Sequence, residues 1–544
     1  MQANSSEQES NANEGSAKKF CVDATPHDVL VVGGGINGAG IARDLAGRGL
    51  AVLLVEQDDL AAHTSSASTK LIHGGLRYLE HREFALVRKS LQERERLLRS
   101  APHIMWPLRF VMPHDPSMRP AWMIRAGLFL YDHLARREVL PASRTVALAR
   151  HPAGAPLQPR FRRAFVYSDG WVDDARLVVL NALDARDRGA EVCTRTRCVQ
   201  ARRAGSHWQA ELRAEHGATR TVSARALVNA AGPWAESFLR QVVHTPAGPA
   251  PTARSLRLVQ GSHIVVPRCF EHDHAYLFQN PDKRIIFAIP YEQRYTLIGT
   301  TDVEFRGAPG QARATPEEIA YLCEQASRYL RRPVRSTDVV WHYSGVRPLL
   351  DDDSGDPSAV TRDYLLETRT DGGAPLLSVW GGKITTFRKL AEEAGDTLAR
   401  LLGKGGPGWT ADARLPGGDL SAWIGPPQRP DTDFARFVTA LGLRHAWLPQ
   451  PLAWRLARAY GSRIDRVLGG ATRLADLGPV IAPGLHEAEL RYLQREEWAQ
   501  QADDVLWRRS KLGLHGLPAH ARQVAEWMAA RAAAAPAARE ATWS

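Results

Sequence analysis

The chain has 544 residues, which is too many for one compact core, so two to four domains are expected. Its 70 Lys and Arg outnumber its 59 Asp and Glu, and the resulting net charge of +11 suits an anionic membrane surface or anionic substrates. No segment has the zinc-ligand spacing or the aromatic-plus-basic sheet signature of a nucleic-acid module, so nucleic acid is not an expected partner.

The cysteines and the hydropathy of the chain indicate the cellular compartment and whether the chain has disulfides, metal sites or membrane spans. The five cysteines are too scattered for a disulfide framework, and the closest pair, Cys193 and Cys198, lacks zinc or iron–sulfur spacing. The acidic run at 351–356 lacks the order of a calcium loop, so no metal site is expected. No apolar run approaches the ~20 residues that span a bilayer. These features predict a cytoplasmic chain, and the polar residues 1–26 are expected to form a disordered tail.

The first elements after the tail form a strand–helix–strand unit. Residues 27–32 predict a short strand, residues 36–47 have helical apolar spacing, and residues 50–55 predict a second strand. The first strand runs into the fingerprint Gly33-x-Gly35-x-x-Gly38. In this fingerprint the glycines permit a tight turn, close approach to a pyrophosphate and close packing of helix on strand. The unit therefore predicts dinucleotide binding.

Two neighbouring features refine the dinucleotide prediction. Glu56 ends the second strand, where a carboxylate binds ribose hydroxyls. It is followed by Gln57 and two aspartates rather than by an arginine, which disfavours the 2′-phosphate of NADP. The TSS turn at 64–66 offers hydroxyls and N–H groups to a pyrophosphate, or serves as a helix cap.

Farther along the chain the patterns predict alternating strands and helices. Helices are expected at 83–99, 173–188 and 386–402, whereas the periodicity of residues 102–125 is weak. Residues 255–370 alternate short β-like runs with turns, which is typical of a mostly antiparallel sheet. Further strands are expected at 165–167, 191–197, 207–213, 221–228 and 376–379.

Two features favour FAD over NAD as the dinucleotide. The chain leaves the first unit for a long β-rich insertion instead of forming a second βαβ half nearby. Gly381-Gly382-Lys383 then forms the turn of another strand–turn–helix unit, between the strand at 376–379 and the helix at 386–402. The N-terminus of that helix would stabilise negative charge on a flavin ring. An ordinary connection between strand and helix is the alternative for this segment.

The expected fold class is therefore α/β plus α+β. It comprises a Rossmann-type FAD-binding domain, a mostly antiparallel β-sheet substrate (cap) domain and a helical C-terminal domain. The expected boundaries are 27–402 for the FAD-binding domain, interrupted by substrate-domain segments at about 102–225 and 255–370, then a hinge at 403–430. Residues 431–544 would form the helical domain, for which we expect domain support or a homodimer contact.

Ten runs, in order along the chain, together carry a resemblance to a known family. The runs are VVGGGINGAGIARDLAGRGL (31–50), TSSASTKLIHGGLRYLE (64–80), YSDGWVDDARLV (167–178), NAAGPW (229–234), GSHIVVP (261–267), IGTTD (298–302), YSGVRPL (343–349), TRDY (361–364), GGKITTFRKLAE (381–392) and ADDVLWRRSKLGL (502–514). They resemble the FAD-dependent glycerol-3-phosphate dehydrogenases of bacterial respiration. The resemblance spans about residues 27–515 and implies oxidation of glycerol 3-phosphate to dihydroxyacetone phosphate, with electrons passing through FAD to membrane quinone.

The implied substrate is a dianion, which needs cationic partners, preferably the forked guanidinium of arginine. The candidates are Arg347, Arg362 and Lys383, which by resemblance face the substrate near the flavin, together with Arg77. Arg347 would polarise the reacting hydroxyl or bind the phosphate.

Hydride transfer also needs a base for the hydroxyl proton. The preferred candidate is His263, and His73 is the alternative.

The fingerprint and the resemblance together give a set of residues expected to contact the cofactor. They are Gly33, Gly35, Ile36, Asn37, Gly38, Glu56, Gln57, Thr64, Ser65, Ser66, Lys70, Leu71, His73, Gly74, Ala231, Gly232, Gly382, Lys383, Ile384 and Thr385.

Quinone reduction requires contact with a bilayer. Residues 106–131 interleave arginines with Trp, Met, Phe and Leu, a mixture that suits a headgroup interface or an ordinary core with exposed arginines. We therefore expect peripheral association with the inner face of the cell membrane. The alternatives are a soluble glycerol-3-phosphate oxidase that uses dioxygen and an FAD-binding protein without turnover.

Overall fold

The computed structural model describes residues 26–115, 119–244, 254–282, 284–350, 363–371, 373–516 and 518–534. Residues 1–25 of the expected tail, the acidic run at 351–356 and Arg362 lie outside these ranges. None of the helices in these ranges is long and apolar enough to cross a membrane.

The strands in the described ranges are numbered in chain order. They are β1 His27–Val32, β2 Val52–Val55, β3 Leu71–Ile72, β4 Met105–Pro113, β5 Arg144–Ala147, β6 Arg163–Val172, β7 Glu191–Cys193, β8 Thr196–Ala204, β9 His207–Ala214, β10 Thr219–Asn229, β11 Val243–His244, β12 Leu256–Pro267, β13 Ala275–Gln279, β14 Ile285–Tyr291, β15 Tyr295–Gly299, β16 Val303–Glu304, β17 Trp341–Leu350, β18 Leu365–Arg369, β19 Leu376–Trp380, β20 Val480–Ala482 and β21 Leu485–His486.

The α-helices of the same ranges are numbered likewise, and one π-helical turn covers Asp504–Arg509. They are α1 Ile36–Gly47, α2 Phe84–Ser100, α3 Ala121–His133, α4 Asp174–Asp187, α5 Ala235–Gln241, α6 Pro316–Ser327, α7 Phe387–Leu402, α8 Ser421–Ile424, α9 Pro430–Arg444, α10 Gln450–Tyr460, α11 Ile464–Leu468, α12 Glu487–Glu496 and α13 Pro518–Ala534.

The first sheet has nine strands and is built around the predicted strand–helix–strand unit. Strand β1 lies between β10 and β2, and all three run parallel, as do β2 with β7 and β10 with β19. Helix α1 connects β1 to β2 and packs between α4 and α7. Its small residues allow this close packing, since a Cβ added at Gly40 would come within 2.8 Å of the Phe387 ring.

The second sheet has ten strands in the order β16-β12-β15-β14-β13-β4-β6-β3, with β17 paired to β12 and β5 to β6. Its pairs are antiparallel except for β13 with β4. This arrangement confirms the expected fold class, with a sheet that is mixed rather than purely antiparallel.

The structure corrects the extent of the first substrate-domain segment. Its predicted range of about 102–225 includes β7 to β9 and most of β10, yet these strands belong to the first sheet. The reason is that β10 pairs along its length with β9 and then with β1, which ties the whole meander to the dinucleotide unit. Of this segment, β4, β5 and β6 are the strands in the second sheet.

The region of weak periodicity proves to be regular. Strand β4 runs from Met105 to Pro113 inside the second sheet, and α3 follows at Ala121–His133. The strand is buried at most positions, so it lacks the alternation of a half-exposed strand. Residues 430–534 fold mainly into helices around a separate apolar cluster.

Candidate functional site

A cavity of about 410 Å³ is lined by residues from both sheets. One end lies at the carboxyl ends of β1 and β2, where Gly33 and Glu56 reach it. The other end lies beside β12 and β17, which contribute His263 and Arg347. The cavity therefore joins the predicted dinucleotide unit to the predicted catalytic residues.

The glycine fingerprint has the geometry that dinucleotide binding requires. Gly33 has a φ of +115°, and a Cβ there would come within 2.4 Å of the Ala230 carbonyl oxygen. A Cβ at Gly38 would come within 1.9 Å of the Gly33 carbonyl oxygen, so β1 and α1 approach too closely for any side chain. Gly35 precedes α1 and offers no capping side chain, which leaves the helix N-terminus open to an anion.

Glu56 is held by its neighbours in an orientation suited to ribose. Its Oε2 accepts a hydrogen bond from the Gly34 amide at 2.6 Å, and its Oε1 accepts one from the Asp58 amide at 2.9 Å. Each oxygen keeps a lone pair for a hydroxyl donor. Burial raises the pKa of this carboxyl because it removes the water that would solvate the charged form. Hydrogen bonds from bound ribose hydroxyls would solvate the carboxylate in place of that water.

The loop after β2 ties the two ends of the cavity together. Ser65 Oγ accepts a hydrogen bond from the Ile36 amide at 3.0 Å, and Thr64 Oγ1 donates to the Val346 carbonyl at 2.7 Å, beside Arg347. Across the cavity, Asn37 Nδ2 donates to the Gly381 carbonyl at 3.3 Å. The start of α1 is thereby linked to both later segments of the site.

His263 is almost fully buried and lines the cavity. Its Nε2 shares a hydrogen bond of 3.0 Å with Thr69 Oγ1, and its ring stacks on Tyr343 at 4.7 Å. Its Nδ1 has no hydrogen-bond partner among the described residues. Burial, with the charges of Lys70 and Arg347, holds the pKa of His263 well below its usual value, so the imidazole is neutral at pH 7.

Lys70 is also buried and lies beside Tyr343, whose ring stacks on His263. Its Nζ lies 2.8 Å from Asp174 Oδ1 and 5.2 Å from the centre of the Tyr343 ring. Tyr343 in turn donates from its hydroxyl to the Ser68 carbonyl at 2.8 Å. Lys70 does not line the cavity.

Arg347 projects from β17 over the backbone of β12. Its Nη2 donates to the Thr301 carbonyl at 2.8 Å and lies 2.7 Å from Asp302 Oδ1. A Cβ at Gly261 would come within 2.5 Å of the same Nη2, so any larger residue there would displace the guanidinium. These contacts fix the position of the guanidinium at the cavity wall.

The segment at 381–385 closes the cavity opposite β12. Lys383 Nζ lies 3.7 Å from the centre of the Tyr78 ring, which makes a cation–π contact. Thr385 Oγ1 accepts a hydrogen bond from the His73 amide at 3.1 Å. Helix α7 begins at Phe387, so its N-terminus lies next to this wall.

Most of the residues predicted for the site line the cavity, but five of the described ones do not. Gly38 lies within α1 and faces Gly33, the Gly74 amide donates to the Tyr131 hydroxyl, Lys70 is paired with Asp174, and Ser66 and Arg77 lie outside the lining. The predicted residues that do line it are Gly33, Gly35, Ile36, Asn37, Glu56, Gln57, Thr64, Ser65, Leu71, His73, Ala231, Gly232, His263, Arg347, Gly382, Lys383, Ile384 and Thr385.

Several lining residues were not predicted from the sequence. Four of them lie within runs that carry the family resemblance, so those runs could have pointed to them: Thr69, Tyr78, Trp234 and Thr300. Thr196 and Cys198 come from β8, where no motif marks them.

These residues fit FAD. Two buried atoms of lining residues, Asn37 Oδ1 and His263 Nδ1, have no hydrogen-bond partner among the described residues, so a bound ligand could supply one to each. The glycine turn leaves room for the pyrophosphate, Glu56 suits the ribose, and the 381–385 wall suits a flavin ring.

Comparison with known proteins identifies two family models in the chain. Residues 28–388 match the FAD dependent oxidoreductase family, and residues 409–539 match the C-terminal domain of alpha-glycerophosphate oxidase.

Individual relatives cover nearly the whole chain. A glycerol-3-phosphate dehydrogenase of Pseudomonas aeruginosa is 52% identical over 93% of this chain and 95% of its own length. A D-erythritol 1-phosphate dehydrogenase of Brucella abortus is 50% identical over 92% of this chain and 97% of its own. Among solved structures, the glycerol-3-phosphate dehydrogenase from Bacillus halodurans complexed with FAD has a TM-score of 0.72 and 27% identity, covering 93% of this chain and 91% of its own.

Proposed function

The chain belongs to the FAD-dependent glycerol-3-phosphate dehydrogenases, with FAD as its cofactor, and on that premise we propose that it oxidises sn-glycerol 3-phosphate to dihydroxyacetone phosphate. The observation that carries this proposal is that a buried, neutral His263 with Arg347 beside it, and a second cation, Lys383, on the opposite wall, line the cavity that holds the dinucleotide fingerprint. A base and anion-binding groups are what oxidation of a phosphorylated alcohol requires.

His263 takes the proton of the substrate hydroxyl in this proposal. Its depressed pKa keeps a lone pair available throughout the neutral range. In the tautomer with hydrogen on Nε2, which Thr69 Oγ1 accepts, Nδ1 is the proton acceptor. When bound, FAD supplies the two-electron acceptor that takes the hydride from C2. His73, which also lines the cavity, is the alternative base.

The cations of the site bind and orient the substrate. Arg347 is held at the cavity wall by Thr301 and Asp302, so its positive charge is positioned to attract a phosphate or to polarise the reacting hydroxyl. Lys383 lies on the opposite wall and adds a second positive charge. Arg362, outside the described residues, and Arg77 remain candidates for phosphate binding.

The experiment is anaerobic addition of sn-glycerol 3-phosphate to the purified holoenzyme, with flavin absorbance near 450 nm as the readout. Loss of the absorbance supports the dehydrogenase. An absorbance that stays unchanged at saturating substrate would favour an FAD-binding protein without turnover.

D-Erythritol 1-phosphate is the second candidate substrate, because a relative of that name is 50% identical to this chain. The two substrates share a phosphate ester and a secondary hydroxyl, so the same base and cations would serve both. Comparing kcat/KM for the two compounds decides between them. A higher value for the four-carbon substrate would replace glycerol 3-phosphate in our proposal.

We further propose that electrons leave the enzyme to a membrane quinone. The alternative acceptor is dioxygen, which would give peroxide. An assay that supplies a soluble quinone analogue in one arm and air in the other separates them. Fast quinone reduction with little peroxide supports the dehydrogenase, whereas the reverse result makes the protein an oxidase.

Contact with the membrane is proposed through α3. This helix exposes four large apolar side chains, Trp122, Met123, Phe129 and Leu130, with Trp122 71% exposed. Exposed basic residues, among them Arg88 and Arg136, lie around a shallow depression at its C-terminal end. Such a surface suits the interface of an anionic bilayer. The other part of the predicted interfacial segment, β4, is mostly buried within the second sheet.

Sedimentation with vesicles tests the role of α3. The double variant Trp122→Ser/Phe129→Ser should bind phosphatidylglycerol vesicles at least about tenfold more weakly than wild type. The matched control is Val340→Ser, which removes an apolar side chain that is 53% exposed elsewhere on the surface. Equal binding by the double variant and the control would contradict this membrane face.

A further inference from the structure

The helical C-terminal domain does not line the cofactor cavity, but its residues 500–509, which we call the clamp segment, contact residues next to the cavity lining. It lies against two cavity segments at the ribose end, residues 56–59 and 193–198, which we call the ribose walls. We propose that the clamp segment is part of the FAD site, because it holds both ribose walls in their binding positions. This proposal rests on FAD being the cofactor and not on the identity of the substrate.

The first ribose wall is fixed through Asp59, three residues after Glu56. Asp59 is buried and accepts two hydrogen bonds from Arg509, one from each terminal nitrogen at 2.7 Å. It also accepts one from Arg508 Nε at 2.5 Å. Two guanidinium groups of the clamp segment therefore grip the carboxylate that follows the ribose-binding glutamate.

The second ribose wall is fixed through Arg195 and Thr194. Arg195 Nη2 donates to both carboxylate oxygens of Asp504, at 2.9 and 3.0 Å. Gln500 Nε2 donates to Thr194 Oγ1 at 3.2 Å. The wall continues into Thr196, which lines the cavity and whose amide donates to the Glu56 carbonyl at 2.7 Å.

Asp504 joins the contacts to the two walls. Its side chain is fully buried and lies 2.5 Å from Arg508, which also contacts Asp59. The amides of Gln500 and Gln501 donate to it at 2.8 and 2.9 Å. Because one buried carboxylate serves both walls, a change in any of its partners is transmitted to the ribose end of the cavity.

The backbone at this junction is strained in a way that the contacts must offset. Arg195 has a φ of 51°, in the left-handed region that disfavours a residue with a Cβ. In this conformation its amide donates to the Asp58 carbonyl at 2.8 Å while its side chain reaches Asp504. The strained conformation therefore links both walls to the clamp segment at a single residue.

Linkage makes this effect reciprocal. If the clamp segment favours the binding position of the walls, bound FAD must stabilise the docking of the clamp segment by the same free energy. This gives the C-terminal domain a role in cofactor retention without any direct contact with the dinucleotide.

The test measures FAD release from the purified holoenzyme through the fluorescence that free FAD regains. Arg195→Asn, which tolerates the left-handed backbone, and Arg508→Gln each remove clamp contacts. The matched control is Arg463→Gln. The Arg463 side chain is 10% exposed, as is that of Arg195, and its Nη1 lies 3.1 Å from Asp187 at the end of α4, so it joins the same C-terminal domain to the rest of the chain away from the cavity lining. We expect FAD release to become about tenfold faster, ~1.4 kcal/mol, in the two clamp variants and to change less than twofold in the control.

Two results would overturn the proposal: unchanged release in both clamp variants, or equal acceleration in Arg463→Gln. Hydrogen exchange on the wild-type full chain gives a second test that needs no variant to fold. Removing FAD should raise amide exchange in residues 500–509 but leave α9 and α10 of the same domain unchanged. Unchanged exchange in the clamp segment would also refute it. Neither readout involves substrate, so failure of glycerol 3-phosphate oxidation would not affect this test.

Discussion

His103 gives the protein a pH-dependent stability that can be calculated from its surroundings. The side chain is fully buried, and neither ring nitrogen has a hydrogen-bond partner among the described residues. Burial, with the charges of Arg176 and Arg458, lowers the pKa of His103 from 6.5 to about 3. The ring lies against Gly461 of the C-terminal region, so its charging would oppose the docking of that region.

The sign and size of the effect follow from linkage. The unfolded chain binds the proton at a higher pH than the folded chain, so the stabilisation is fully present above pH 6.5 and is lost as pH falls toward 3. The whole shift corresponds to about 4–5 kcal/mol, of which about 2 kcal/mol is lost between pH 8 and pH 5.

His103→Phe removes this titration while keeping a planar ring in the site. Urea denaturation followed by tryptophan fluorescence, at pH 8 and pH 5, gives the free energy of unfolding of both proteins. Wild type should lose about 2 kcal/mol more than the variant between these pH values. Any packing cost of the larger ring cancels in this difference, and the exposed His81→Gln serves as the control. Parallel losses in wild type and His103→Phe would refute the reasoning.

Three further predictions concern the site. Gly38→Ala places a Cβ 1.9 Å from the Gly33 carbonyl oxygen and should abolish most FAD content in the purified protein. The control Gly127→Ala should keep its FAD, because no heavy atom of the described residues lies within 4 Å of the added Cβ. Full FAD occupancy in Gly38→Ala would count against the role of the glycine fingerprint. Arg347→Lys keeps the charge but loses the fork, so KM for glycerol 3-phosphate should rise about tenfold, and an unaltered KM would remove Arg347 from substrate binding. Thr69→Val removes the hydroxyl that lies 3.0 Å from His263 Nε2 and should slow flavin reduction about tenfold, which corresponds to ~1.4 kcal/mol in the activation barrier. An unchanged rate would show that Thr69 does not orient the imidazole.

The parts of the fold that were predictable are those set by local sequence. Helix α1 and its flanking strands follow from the glycine fingerprint and apolar spacing, and α4 and α7 were predicted to within about a residue. Strand β4 and helix α3 were missed. The strand is buried on both faces and contains prolines, and the helix exposes apolar residues, so neither shows the usual amphipathic pattern.

The prediction of which sheet each strand joins was wrong where strands far apart in the sequence pair with each other. The meander β7–β10 has ordinary strand patterns, and nothing local indicates which sheet receives it. Membership is decided by the parallel pairing of β10 with β1, about 200 residues earlier in the chain.

The same limit applies to the site. His263 and Arg347 were proposed from their motifs, whereas the contacts that orient them involve distant residues. Thr69 lies 194 residues from His263, and Thr301 lies 46 residues from Arg347. Sequence patterns suggested candidate reacting groups but not the neighbours that hold them.

In the proposed reaction His263 accepts the proton while glycerol 3-phosphate is oxidised. Anaerobic stopped-flow reduction of wild type and His263→Ala, both loaded with FAD to the same extent, tests this role. We expect rapid loss of flavin absorbance in wild type and a rate at least about a hundredfold lower in the variant. Full-rate reduction in His263→Ala would contradict the assignment of the base, and no reduction in wild type would contradict the proposed function.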